Sequence, residues 1–367
     1  MAFSWNEVAN APAPDEIEVT VFGPGFGECI VAHVGQGRWL VVDSCLDPDT
    51  KKPVALAYFD SLGVDPGASV AWVVATHWHS DHVAGIDGVV AACSSAEFHC
   101  AQQLQHREFI RYITMSRAVA GADNAREFRN VLTLLRKSNR QIRWTQSGRT
   151  LASRPNAAAS YHFRLEALSP SDREFDLFLD RVGSQIAKQG QSHRALVASD
   201  PNYSAIALSL RWGDQSVLLG ADLLTHAQHD RGWLAAVSQA RVLDAPKAGL
   251  VKIPHHGSHG ADCESMWTEL LIANPLSIVT PYNRGSKSGR PPKRCDLSRI
   301  SGRSGVTLLT APTQSGRQRK QSSPVALGLA QHGIQVRTLR AQMGIVRARC
   351  RPGTPWTTQL FGKAAQI

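Results

Sequence analysis

A chain of 367 residues and 39.9 kDa can bury a substantial core, either as one large domain or as two ordinary ones. Its 43% hydrophobic and 19% charged content is that of a globular protein, and the absence of any run of roughly 18 apolar residues excludes a helical membrane span. The net charge of +10 is local: residues 281–367 carry sixteen Lys and Arg against one acid, Asp296 (net +15), whereas residues 1–280 carry 24 basic and 29 acidic residues (net −5). A basic stretch of this kind favours polyanionic partners, nucleic acid first, with a solvated surface or basic tail as the plainer alternative.

The first residues have no basic head followed by an apolar run, so a cytoplasmic location is expected. Residues 16–23, 27–35 and 38–45 are short β-branched runs between Gly-rich turns and predict a strand meander. Residues 54–63 have helical apolar spacing ending at Gly63, and residues 71–76 form an apolar strand that runs into a histidine-rich loop. Residues 103–139 predict two amphipathic helices, an insertion or lid beside that loop.

Strands are expected at 141–146 and 161–168, and a helix over 172–188. A hairpin turning at Gly213 and Asp214 follows, then a strand ending at Pro254. The pattern continues with a helix over 263–273, a strand over 276–283, and strands near 305–310, 324–329, 334–339 and 344–350. The alternation predicts sheets flanked by helices. The seven cysteines are scattered, odd in number and never paired as CxxC, which argues for buried thiols over disulfides or a thiolate zinc site.

The chemistry is concentrated in Thr76-His77-Trp78-His79-Ser80-Asp81-His82. Imidazole and carboxylate are the donors that zinc and similar divalent ions take, and His77 with His79 can face one position while Asp81 with His82 face its neighbour. Trp78 beside them reads as a packing residue before it reads as a base-stacking one.

This HxHxDH pattern, followed by Val83-Ala84-Gly85, resembles the metallo-β-lactamase superfamily. The resemblance extends to the Gly-rich strand pair from 23 to 35 and to the strand that leads to Asp43, expected to be buried. Residues 202–222 and 250–260 look like segments of the DNA-uptake competence-protein branch, so the likeness spans roughly 16–310. It implies an α/β (α+β) four-layer αββα sandwich of mixed sheets with outer helices. Residues 1–310 would form the catalytic domain, and 311–367 a basic C-terminal extension packed on it.

The resemblance further implies two divalent ions, zinc or manganese, with Asp222 bridging them and His255 or His256 completing the second site beside Asp81 and His82. A carboxylate is the side chain able to link two cations, and the small Gly220 and Ala221 before it permit close approach; read alone, Asp222 would cap a helix. Asp81, His255 and His256 are the catalytic candidates. Of the adjacent histidines one would bind metal and the other contact phosphate or protonate the leaving oxygen, and the sequence leaves open which.

The usual third histidine of the first site is missing: residues 166–172 carry Ser169 in its place, and His162 and His193 are distant candidates. Where the competence branch shows a histidine after its last core strand, this chain has Arg290. Ser258, Arg284, Lys287, Arg290, Lys293 and Arg294 are the expected phosphate contacts. The expected function is a phosphodiesterase or nuclease that attacks DNA or RNA with hydroxide formed at the metals. A small-molecule phosphodiesterase for a nucleotide signal or phosphocholine-type ester, and a metal-stabilised binding module without catalysis, are the alternatives.

Overall fold

The apolar runs of the sequence become two eight-stranded sheets. The computed structural model describes residues 3–105, 123–156, 161–186, 201–283, 290–313 and 343–367. The strands are β1 (Ile17–Gly23), β2 (Cys29–His33), β3 (Trp39–Val42), β4 (Val70–Ala75), β5 (Glu97–Ala101), β6 (Ile142–Thr145), β7 (Thr150–Asn156) and β8 (Tyr161–Ala167). They continue with β9 (Leu208–Trp212), β10 (Gln215–Leu219), β11 (Ala248–Lys252), β12 (Leu271–Val279), β13 (Val306–Leu309), β14 (Gly344–Cys350), β15 (Thr357–Gly362) and β16 (Ala365–Gln366). The first sheet runs β15-β14-β1-β2-β3-β4-β5-β6 and the second β16-β13-β12-β11-β10-β9-β8-β7.

The helices are α1 (Val54–Leu62), α2 (Pro66–Ser69), α3 (Ser80–Val83), α4 (Ile86–Ala92), α5 (Asp123–Lys137), α6 (Asp172–Ile186), α7 (Gly232–Val242) and α8 (Arg294–Ser301). Alternation along each strand places them. Val19, Val21, Ile30, Leu40 and Val74 of the first sheet pack against Leu165, Leu208, Leu210, Leu250 and Ile278 of the second. Their neighbours Phe22, Val31, Val41 and Val73 point the other way, onto Tyr58, Phe59, Val89 and Phe128 of the helices. On the far side Leu218, Val251 and Val279 meet Trp233, Ala236 and Ile300. Strands buried on both faces read as continuous apolar runs, and three such cores define the expected αββα sandwich.

Both sheets are mixed. β3 through β6 run parallel, as do β10 through β13, while β1–β2–β3 and β9–β10 are antiparallel. Functional loops collect at the carboxyl ends of parallel strands, and here the exits of β4, β10, β11 and β12 supply the loops described below.

Several expectations change. The helix expected over 263–273 stops at Leu270, because Leu271 already belongs to β12, whose register opposite Ala248 is fixed by pairing with β11. β7, with Pro155 and little apolar character, is an edge strand, where a missing N–H is tolerated. Of the two insertion helices, α5 is present and residues 106–122 lie outside the described residues, as do the strands expected at 324–329 and 334–339. The last residues form strands in both sheets: β14 pairs with β1, and β16 with β13. Six of the seven cysteines are buried and free, and Cys295 is exposed. Among the described residues no helix is long and apolar enough to cross a membrane.

Candidate metal centre

Four strand exits converge on one cluster. β4 ends at Ala75 and hands over His77, His79, Asp81 and His82; β10 is followed by Asp222, β11 by His255 and His256, and β12 by Thr280 and Tyr282. The local backbone is shaped for close approach. Asp43, Ala221, His255 and His256 all have positive φ (59°, 45°, 45° and 54°), and left-handed non-glycine residues collect where function over-determines the backbone. At Gly220 a Cβ would lie 2.9 Å from Pro254 Cβ, so only glycine lets the β10 and β11 exits meet. No helix begins at Asp222, so it caps none; its carboxylate points into the cluster, 2% exposed.

Each inward imidazole is anchored by one nitrogen and aimed by the other. His82 Nδ1 donates to Asp43 Oδ2 at 2.7 Å, and Asp43 in turn accepts from the Thr76 amide and hydroxyl, both at 2.7 Å. Thr76 Oγ1 lies 3.0 Å from His77 Nδ1, and the Thr280 carbonyl accepts from His256 Nδ1 at 2.8 Å. Outer partners of this type fix tautomer and ring orientation in metal sites. The free faces then meet: His82 Nε2 is 3.4 Å from Asp222 Oδ1, His256 Nε2 is 3.2 Å from Asp81 Oδ2 and 3.6 Å from Asp222 Oδ2, and His77 Nε2 is 3.7 Å from Asp222 Oδ2. His79 Nδ1 stands 3.2 Å from His77 Nε2.

Two donor sets share Asp222. One is Asp81, His82, Asp222 and His256; the other is His77, His79 and Asp222, and in each all donor atoms lie within 4.8 Å of one another. Asp43 also lies near His77 and His82, but its oxygens are taken by Thr76 and His82 Nδ1, which makes it an orienting group.

The donor chemistry fits divalent cations. His82 Nε2 and Asp222 Oδ1 are buried with no hydrogen-bond partner, and an ion between them would satisfy both. Burial opposes ionisation of Asp222, but His256, His82 and His77 outweigh it and hold its carboxyl well below the usual range. Asp81 is likewise depressed, its burial outweighed by the hydrogen bond from His256 and the charge of His82. Burial and the adjacent His82 push His77 well down, favouring a neutral ring whose lone pair can ligate.

The sequence expected more donors and contacts than the cluster contains. Ser169, in the place of the third histidine, donates to the Ala205 carbonyl and accepts from the Ala207 amide, so its hydroxyl is committed to backbone. His162 Nε2 bonds Ser153 Oγ on β7, and His193 lies outside the described residues. His255 lies at the lip, its side chain 26% exposed, with Nε2 4.0 Å from Asp222 Oδ2 and 3.2 Å from the Asn202 amide, and with Nδ1 2.8 Å from Ser258 Oγ.

Arg290 lies over the Tyr282 ring at 4.9 Å, and that ring is 5.2 Å from His256. Lys293 and Arg294 are exposed at the start of α8, while Arg284 and Lys287 lie outside the described residues. Trp78 packs its ring 4.2 Å from Phe128, the packing reading. Sequence reasoning gave no role to Asn202, which lies in the segment likened to the competence branch, and missed Thr280 and Tyr282, which are placed by tertiary contact.

The family model described as the metallo-beta-lactamase superfamily matches residues 22–119, which contain the whole HxHxDH loop. No curated protein matches the chain. Among solved structures the chain is similar to the metallo-beta-lactamase fold protein YhfI from Bacillus subtilis, at 13% identity over 82% of this chain and 98% of that one, TM-score 0.41. It is also similar to a metallo-beta-lactamase from Pontibacter korlensis (10% identity, 61% and 77% covered, TM-score 0.28) and to the flavodiiron protein from Giardia intestinalis (10%, 58% and 39%, TM-score 0.30). Residues 22–119 thus match the metallo-β-lactamase superfamily, and the fold brings Asp222 and His256 of the second sheet onto the HxHxDH loop that this match contains.

Proposed function

We propose that the chain is a hydrolase of the metallo-β-lactamase superfamily, a phosphodiesterase whose substrate is a nucleic acid. The observation that carries the reading is one buried carboxylate, Asp222, shared by two donor sets beneath a histidine that is partly exposed. When bound, two divalent ions would supply a water acidified towards neutrality and positive charge for the oxygens of an attacked phosphate.

The protein's own groups do the rest. Asp81 and Asp222, kept anionic, hold the donor geometry, with Asp43 and the Thr280 carbonyl fixing the rings of His82 and His256. His255 stands at the lip between Ser258 and Asn202, and once its ring is protonated and turned from the Asn202 amide to a bound substrate it would pass a proton from Nε2 to the leaving oxygen. Arg290 on Tyr282 sets a guanidinium beside the cluster, where a phosphate flanking the attacked one can pair with it.

The test is hydrolysis of labelled single- and double-stranded DNA and RNA, and of a small chromogenic phosphodiester, by protein stripped of metal and resupplied with zinc or manganese. Polymer cleavage that disappears in Asp81→Ala supports the proposal. Turnover of the small ester alone replaces it with a small-molecule phosphodiesterase, and metal-dependent DNA binding without turnover replaces it with a binding module.

A further inference from the structure

Beneath the donor cluster a charged pair crosses from one sheet to the other. Glu28, immediately before β2, is 1% exposed, and Lys252, the last residue of β11, is 0% exposed; Lys252 Nζ is in direct ion-pair contact with Glu28 Oε2. Such a pair adds little net stability, because desolvation offsets the attraction and an apolar replacement often serves as well. Its bonds, however, all lead to the metal centre. Lys252 Nζ donates to the Ala221 carbonyl at 3.3 Å, one residue before Asp222. The Glu28 amide donates to the Asp81 carbonyl at 2.8 Å. Thr280 donates its hydroxyl to Glu28 Oε2 at 2.5 Å, and its carbonyl holds His256 Nδ1 at 2.8 Å.

The pair with Thr280 therefore contacts the three segments that deliver Asp81, Asp222 and His256, one from the first sheet and two from the second. Donors carried on separate strands must converge to within a fraction of an ångström to hold an ion tightly, and supporting groups decide whether they do. We propose that Glu28, Lys252 and Thr280 form a positioning unit that sets the spacing of Asp81, Asp222 and His256, and with it the ion affinity of that donor set. This rests on the metal-centre reading and not on the choice of substrate.

The test is a calorimetric titration of Zn2+ into metal-free protein, with the unfolding temperature recorded on the same samples. The wild type should show two binding events, and His256→Ala should remove one, which identifies the set concerned. Two variants follow. Glu28→Gln with Lys252→Met removes both buried charges together, so neither is left uncompensated; Glu28→Asp keeps the charges and shortens the reach. Both should fold and bind the His256-dependent ion at least about tenfold more weakly, with the other event, which shares only Asp222 with that set, weakened less. Wild-type affinity for that ion in either folded variant, or equal weakening of both events, overturns the positioning role. A wild type that takes up no Zn2+ overturns the metal centre itself, a failure seen before any variant is compared.

Discussion

His255 and His256 are adjacent, both left-handed, and held for different work. His256 is 3% exposed, its Nδ1 committed to the Thr280 carbonyl and its Nε2 turned to Asp81 and Asp222. His255 stands at the lip, bonded through Ser258 and Asn202. His256→Ala should therefore lose one of two bound ions, whereas His255→Ala should keep both and lower kcat by about a hundredfold or more, the usual loss of a general acid. Metal content and steady-state kinetics on the same preparations separate these outcomes; loss of an ion in His255→Ala would make that residue a metal ligand. One layer out, Asp43→Asn leaves His82 Nδ1 without its carboxylate, and zinc affinity measured by titration should fall by about 10–100-fold with the fold intact. The HxHxDH loop was legible in the sequence because all its donors lie within six residues of one strand end. Choosing between His255 and His256 was not, because the choice depends on Thr280 and Asn202, which reach the pair only through the folded sheet.

Helix α5 packs on the donor loop and is tied to the neighbouring helix α4 by a carboxyl pair. Phe128, Val131 and Leu135 recur at helical spacing and are buried against the outer face of the first sheet, with Trp78 against Phe128. Beside them Glu127 meets Asp87 at the start of α4, and burial, together with the hydrogen bond and charge of Asp87, pushes the Glu127 carboxyl from 4.5 up to about 7. A carboxyl whose folded pKa is raised stabilises the docked helix fully below the unfolded value and loses that contribution as pH rises through about 7. Hydrogen exchange of the α5 amides, corrected for intrinsic rate, should accordingly show less protection at about pH 8 than at about pH 5. Glu127→Gln, able to donate to Asp87 at either pH, should remove most of the difference; equal protection in the wild type at both would refute the latch. Elements with strong apolar period, such as α1 and the β1–β3 meander, were read directly. The edge strand β7 and the short α8 were missed, since the one is defined by pairing with β8 and the other by its capping Asp296, not by apolar period.

At the scale of the molecule, the basic C-terminal quarter carries two kinds of cation that the sequence could not separate. Arg347 and Arg349 on β14 project onto Glu18 of β1, which also accepts from Tyr58, and all four side chains are buried. Arg299 and Arg303 pair with Asp262, and Arg351 with Asp15. These charges close the sandwich, and only a tertiary structure shows that their acids come from far along the chain. Arg349→Met should cost roughly 3 kcal/mol in denaturant unfolding, towards the low end for breaking a buried pair because Arg347 remains near Glu18. Arg290, Lys293 and Arg294 are of the other kind, at the rim beside Tyr282 or exposed at the start of α8. If they hold a polymer's phosphates, removing one phosphate-pairing cation lowers the slope of log affinity against log salt by about 0.9 on duplex DNA. Neutralising all three should therefore flatten that slope by about 2 to 3, with the unfolding midpoint near that of the wild type, while Arg349→Met should shift the midpoint and leave the slope alone. An unchanged slope in the triple variant would remove these residues from the substrate path and favour a small phosphodiester that reaches Asp222 without crossing the rim.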